Sequence, residues 1–156
     1  MSRSSATDEH EHEHVHEHVH EHGMAANAQV RWGATLLRVA VASVFVVHGI
    51  ARMSAGTVSN FGAFLSGWGL PAGEAIAWTL TLVEIAGGLL LALGLAVRPL
   101  AVWFAAQILM GIVMIHARAG WFVVGAGRNG VEYSVLILAA LLAAFLTDSV
   151  TCRVRR

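Results

Sequence analysis

The sequence predicts an all-α fold: a polytopic membrane four-helix bundle preceded by a disordered, histidine-rich N-terminal tail. Three observations predict it. Of 156 residues, 56% are hydrophobic and 13% charged, about half the charged share usual in a soluble domain. Four long apolar stretches follow one another after residue 30. None of the five tryptophans falls in the middle of such a stretch. Formal net charge is zero, from ten Arg and ten acidic residues. No nucleic-acid partner is expected, because phosphate binding needs a clustered excess of positive charge. The lone cysteine, Cys152, excludes an internal disulfide framework.

The tail, residues 1–29, has too little apolar surface to bury and is expected to lack a fold. Residues 1–23 hold six of the ten acidic residues and seven of the nine histidines. Histidine occupies every even position from His10 to His22, namely His10, His12, His14, His16, His18, His20 and His22. In an extended chain that spacing lines all seven imidazoles along one side. Imidazole with neighbouring carboxylates suits a divalent metal such as zinc or nickel. Met24 is also a plausible start of translation, which would leave the tail out.

The membrane domain is assigned to residues 30–148 and a short basic tail to 149–156. Its apolar stretches run from Ala34 to Ile50, Ala75 to Val97, Leu100 to Ala117 and Val131 to Leu146. Each approaches the roughly 20 residues that cross the hydrocarbon core as a helix. A soluble bundle is excluded by four helices that are apolar all round, with no face left for water. Trp32, Trp68, Trp78, Trp103 and Trp121 lie at or beyond the ends of these stretches, where indole rings favour the headgroup boundary.

Phe61, Phe64, Leu65 and Trp68 recur at helical spacing between the first two spans, with Ser59 or Asn60 as N-cap and Gly69 and Pro71 as stop signals. A short surface helix is expected there. Pro99 marks a very short turn between spans two and three. Rows of small residues, Gly88, Ala92 and Ala96, then Ala139 and Ala143, are expected to let helices approach closely. They also permit a homo-oligomer. Four spans put both termini on one side. Six arginines lie on that side and three on the other, which assigns the termini to the cytoplasm of a bacterial inner membrane.

Ionisable groups are costly in hydrocarbon and mark helix interiors or functional sites. By helical rise, His48 lies about 24 Å from Trp32, His116 about 20 Å from Trp103, and Glu84 about 9 Å from Trp78. Glu132 opens span four. All four are thereby placed toward the outer surface, with Arg52 one turn beyond His48. Such a group can hold a lipid-soluble quinone, whose carbonyls need donors and whose reduction needs protons. His48, Glu84, His116 and Glu132 would then be catalytic, and Arg52, Trp78 and Trp121 would contact the cofactor. The competing expectation is an ion-paired network that holds helices together in a scaffold or a small-molecule permease. Gln107 is expected to bond between helices, and Arg38 to snorkel or to cap the inner end of the bundle.

The segments LLRVAVASVFVVHGIAR (Leu36 to Arg52), FGAFLSGWGLP (Phe61 to Pro71), LVEIAGGLLLALGLAVRP (Leu82 to Pro99) and NGVEYSVLILAALLAAFL (Asn129 to Leu146) are similar to the DoxX family of small four-helix bacterial membrane proteins. The resemblance implies an integral membrane protein. In some members it implies the membrane subunit of a quinone-linked oxidoreductase acting on thiosulfate or serving thiol stress, together with a partner subunit. It also places Arg38, His48, Glu84 and Glu132 on polar positions typical of that family. It does not cover the tail.

Overall fold

The computed structural model describes residues 5–124 and 129–154; for 5–27 and 149–154 it describes the backbone alone. All regular structure among these residues is helical. In chain order the helices are α1 (Ser5–Ser54), α2 (Val58–Gly67), α3 (Gly73–Leu93), α4 (Val97–Gly111) and α5 (Glu132–Val154). A π-helical turn, Ile112–His116, and a 3-10 turn, Ala117–Ala119, extend α4. The chain divides into residues 1–34 and a larger unit, Thr35–Arg156.

The described part of the smaller unit is the N-terminal stretch of α1. This differs from the expectation of a tail without secondary structure. The physical reason is that the segment from Ser5 holds no proline and only one early glycine, Gly23, among strong helix formers such as Glu and Ala. Nothing in its sequence stops a helix from propagating.

In the larger unit, three helical stretches are long and apolar enough to cross a membrane among the described residues: 28–54, 73–93 and 97–119. The fourth expected span is covered by α5, whose side chains are described as far as Asp148. Large apolar side chains face outward along every helix: Leu36 is 72% exposed, Leu93 72%, Val113 63% and Leu136 65%. The indoles of all five tryptophans are also exposed. Such a surface is stable against lipid rather than water.

What is buried is a narrow interior seam. Val41, Ala42 and Phe45 of α1 meet Leu91 of α3, Val97, Ala101 and Phe104 of α4, and Leu141 and Ala144 of α5. Phe45 and Phe104 stack with ring centroids 4.0 Å apart. A second cluster joins Val58 and Leu65 of α2 to Ala77 of α3 and Met114 of the π-turn. Along α3 the buried positions Ala77, Thr81, Glu84, Gly88 and Leu91 step by three or four residues, one helical stripe.

Close approach of α1 to α3 depends on two glycines. A Cβ on Gly88 would come within 2.7 Å of Val46 Cγ2 and 3.2 Å of the Ala42 carbonyl oxygen. A Cβ on Gly49 would come within 2.7 Å of Ile85 Cγ1 and 3.0 Å of the Thr81 carbonyl oxygen. Of the small-residue rows expected from sequence, Gly88 lies in the packed seam and Ala92 borders it, whereas Ala96 and Ala139 are exposed. In α5 the packed face is carried by Leu141 and Ala144 instead, one position round the helix.

Two boundaries also move. α3 ends at Gly94 in the left-handed conformation (φ 76°), with Gly94 N–H bonded to the Leu91 carbonyl and Leu95 N–H to the Leu90 carbonyl. The turn therefore falls at residues 94–96, before Pro99. Pro99 sits in the first turn of α4, where the missing N–H has no intrahelical partner to lose. For α2 the N-cap is Thr57, and the Ser59 hydroxyl donates instead to Glu74 on α3 at 2.8 Å.

Candidate functional site

Arg52 lies in the last turn of α1 and Glu84 midway along α3, about 16 Å from its first residue and 14 Å from its last by helical rise. The two form an ion pair: Arg52 donates from one terminal nitrogen to Glu84 Oε2 at 2.7 Å and from the other to Glu84 Oε1 at 3.4 Å. The first nitrogen also donates to the Thr81 hydroxyl at 3.0 Å, which itself donates to the Ala77 carbonyl at 2.8 Å. From α4, the Gln107 side-chain amide donates to Glu84 Oε1. From α2, the ring of Phe61 lies under the Arg52 guanidinium, 4.5 Å from its centroid. Four helices thus converge on one carboxylate.

The Glu84 side chain is 2% exposed and that of Arg52 16%. The network separates the two apolar clusters, with Phe45, Leu91 and Phe104 on one side and Ala77 and Met114 on the other. A buried charge survives in such surroundings only when paired and hydrogen-bonded. Gln107 Oε1 is buried and accepts no hydrogen bond.

The remaining residues singled out in the sequence lie elsewhere. His48 is exposed and lines a groove of about 330 Å³ together with Val47, Ala51, Arg52 and Thr57. His116 donates from Nδ1 to the Asn129 carbonyl at 2.6 Å. Glu132 accepts the Val123 backbone N–H at 3.0 Å. Both bonds fasten the segment between Gly120 and α5. Backbone bonds from Gly130 to Phe122, from Val131 to Gly120 and from Glu132 to Trp121, each 3.1 Å, hold the same segment. His116 is nine residues beyond Gln107, about 13 Å along the helix axis.

His48, Glu84, His116 and Glu132 therefore do not meet in one pocket. Height along a helix can be counted from the sequence; the direction each side chain takes around the axis sends them to three places. Trp78 is exposed and donates to Glu74 at 3.3 Å, and Trp121 is exposed in the loop before α5. Arg38 is partly buried beside the C-terminal turn of α3, with its guanidinium against Gly94 and its Nε unpartnered.

Thr81 and Phe61 were not singled out as partners of Arg52. The available signal for Thr81 is its position three residues before Glu84, on the same face of α3. No group of three or more His, Cys, Asp or Glu side chains among the described residues could hold a metal ion. The side chains of His10 to His22 lie outside the described residues.

The DoxX family model matches residues 33–117, more than half of the chain. The chain is 30% identical over 125 residues to a protein of Bacillus subtilis (strain 168) named Putative oxidoreductase CatD, a match that covers 79% of this chain and 84% of that protein. No solved structure matches. Three apolar helices around a buried ion pair, the family match over three of the helices and the near full-length relative agree on one assignment: this chain is a membrane protein of the DoxX family.

Proposed function

We propose that this protein is the membrane subunit of a redox system and that a lipid-soluble quinone docks in the groove beside Arg52. The observation that carries this reading is the groove itself, which brings an exposed imidazole, His48, and one face of the Arg52 guanidinium to a recess otherwise lined by Val47, Ala51 and Thr57. Its volume, about 330 Å³, suits a single ring at the lower end of the range of small-molecule sites. Arg52 N–H groups and the His48 ring are donors of the kind that quinone carbonyls accept. The relative's name, an oxidoreductase, supports the same class.

Reduction of one quinone takes two electrons and two protons. In this reading His48 delivers protons, and Glu84 holds the guanidinium in place without touching the ring. Cys152 is the only thiol, so the chain cannot cycle an internal dithiol, and the electrons come from a partner subunit. The quinone site faces the outer leaflet of a bacterial inner membrane, with both termini cytoplasmic.

The test is to purify the full chain in a mild detergent and measure quinone by extraction and by titration with a short-chain ubiquinone. The expected result is stoichiometric quinone, weakened at least tenfold by His48→Gln with unfolding unchanged. Absence of quinone binding to the wild-type protein, or binding indifferent to His48→Gln, overturns the reading.

A second reading rests on a different observation. Arg52, Glu84, Thr81 and Gln107 bond to one another around a carboxylate closed to solvent. In a packing scaffold that closure is the whole role, and substitutions there would lower stability alone.

A further inference from the structure

The histidine-rich tail plays no part in the function proposed above. Its backbone is helical from Ser5, so the alternation of histidines is wound into a helix rather than drawn out. At 3.6 residues per turn, alternate positions fall on different faces, whereas positions three and four apart share one. Positions 10, 14, 18 and 22 make one histidine stripe, and positions 12, 16 and 20 the other.

The first stripe takes in positions 13, 17 and 21, all of which are glutamate. The pattern His-x-x-Glu-His therefore recurs at 10–14, 14–18 and 18–22. In the second stripe the equivalent positions are Val15 and Val19. The repeated set of two imidazoles and one carboxylate is thus confined to a single face. Two nitrogens and one oxygen at helical spacing suit a divalent first-row ion, with water completing the shell.

We propose that the juxtaposition of His10, Glu13 and His14 on one face of α1, repeated at His18, Glu21 and His22, makes two sites for divalent transition-metal ions whose occupancy depends on the helix. His14, Glu17 and His18 share ligands with both sets, so two ions fill the face. A helix of this length is marginal in water. Clamping residues one turn apart stabilises it, so that metal binding and helix formation reinforce each other.

The test titrates the full chain in detergent micelles with zinc chloride, by calorimetry and by circular dichroism at 222 nm. The expected result is two ions per chain and a rise in helicity that saturates with them. The double variant Val15→Pro/Val19→Pro keeps all seven histidines and every glutamate but interrupts the helix. It should bind zinc about tenfold or more weakly and gain no helicity. Val15→Ala/Val19→Ala should behave like wild type. Glu13→Gln/Glu21→Gln should weaken binding, and Glu9→Gln/Glu11→Gln should leave it unchanged. Equal zinc affinity in the proline variant and the wild type, or binding without a change in helicity, would overturn the proposal in favour of an unstructured chelating chain.

Discussion

Replacing Arg52 with leucine leaves the Glu84 carboxylate buried with one of its three donors. In the native protein two N–H groups of Arg52 and one of Gln107 reach that carboxylate, whose side chain is 2% exposed. Arg52→Leu removes both guanidinium bonds and leaves Oε2 with none. Breaking a buried pair from one side costs about 3–5 kcal/mol. The reverse substitution, Glu84→Leu, is milder. Arg52 is 16% exposed, two residues from the end of α1, and retains Thr81 and Phe61 as partners. Its long side chain can also extend toward the membrane surface. A loss of about 1–3 kcal/mol is expected for that change. The double variant should lie close to Glu84→Leu, because no unpaired carboxylate remains; the coupling is then roughly 2–4 kcal/mol. Reversible unfolding in mixed micelles titrated with sodium dodecyl sulfate measures all four proteins. Equal losses for the two single variants, or strictly additive losses in the double, would refute the reasoning.

Two further outcomes follow from the packing. Gly88→Val should destabilise the protein by about 1–3 kcal/mol in the same unfolding assay, through overpacking against Val46 and the Ala42 carbonyl. Gly67→Ala, where a Cβ meets open space, is the neutral control. His116→Ala and Glu132→Ala should each loosen the segment before α5 by about 0.5–1.5 kcal/mol, one hydrogen bond's worth. Tryptic cleavage after Arg118 would report this as a faster rate, with the unfolding midpoint of the helices little changed.

Helix content and the membrane setting were legible because they depend on composition summed over long windows, where single side chains matter little. Arg52 and Glu84 were also legible, since an ionisable group inside an apolar stretch must find a partner. Gln107 was read as an interhelical bond and makes one to Glu84. The convergence of His48, His116 and Glu132 on Glu84 was not legible. Counting residues fixes height along a helix but not rotation about it. The π-helical turn at Ile112–His116 adds a further offset that 3.6-residue counting misses. The turn at Gly94–Ala96 was obscured for a related reason: Ala96 adopts φ 50° without being glycine, so the apolar run passes through it unbroken. The Ala139 and Ala143 row misled because the spacing of small residues says nothing about which face of α5 meets a neighbour.

The ion pair between α1 and α3 also acts as a vertical key. Sliding one helix past the other by a single turn, about 5.4 Å, would pull the guanidinium off the carboxylate and leave both charges facing hydrocarbon. Nothing in the apolar contacts of Val46, Ile85 or Leu91 opposes such a slip as strongly, because one aliphatic side chain substitutes readily for another. The two helices can therefore dock at one height only, and the glycines at 49 and 88 that permit their contact are useful only in that alignment.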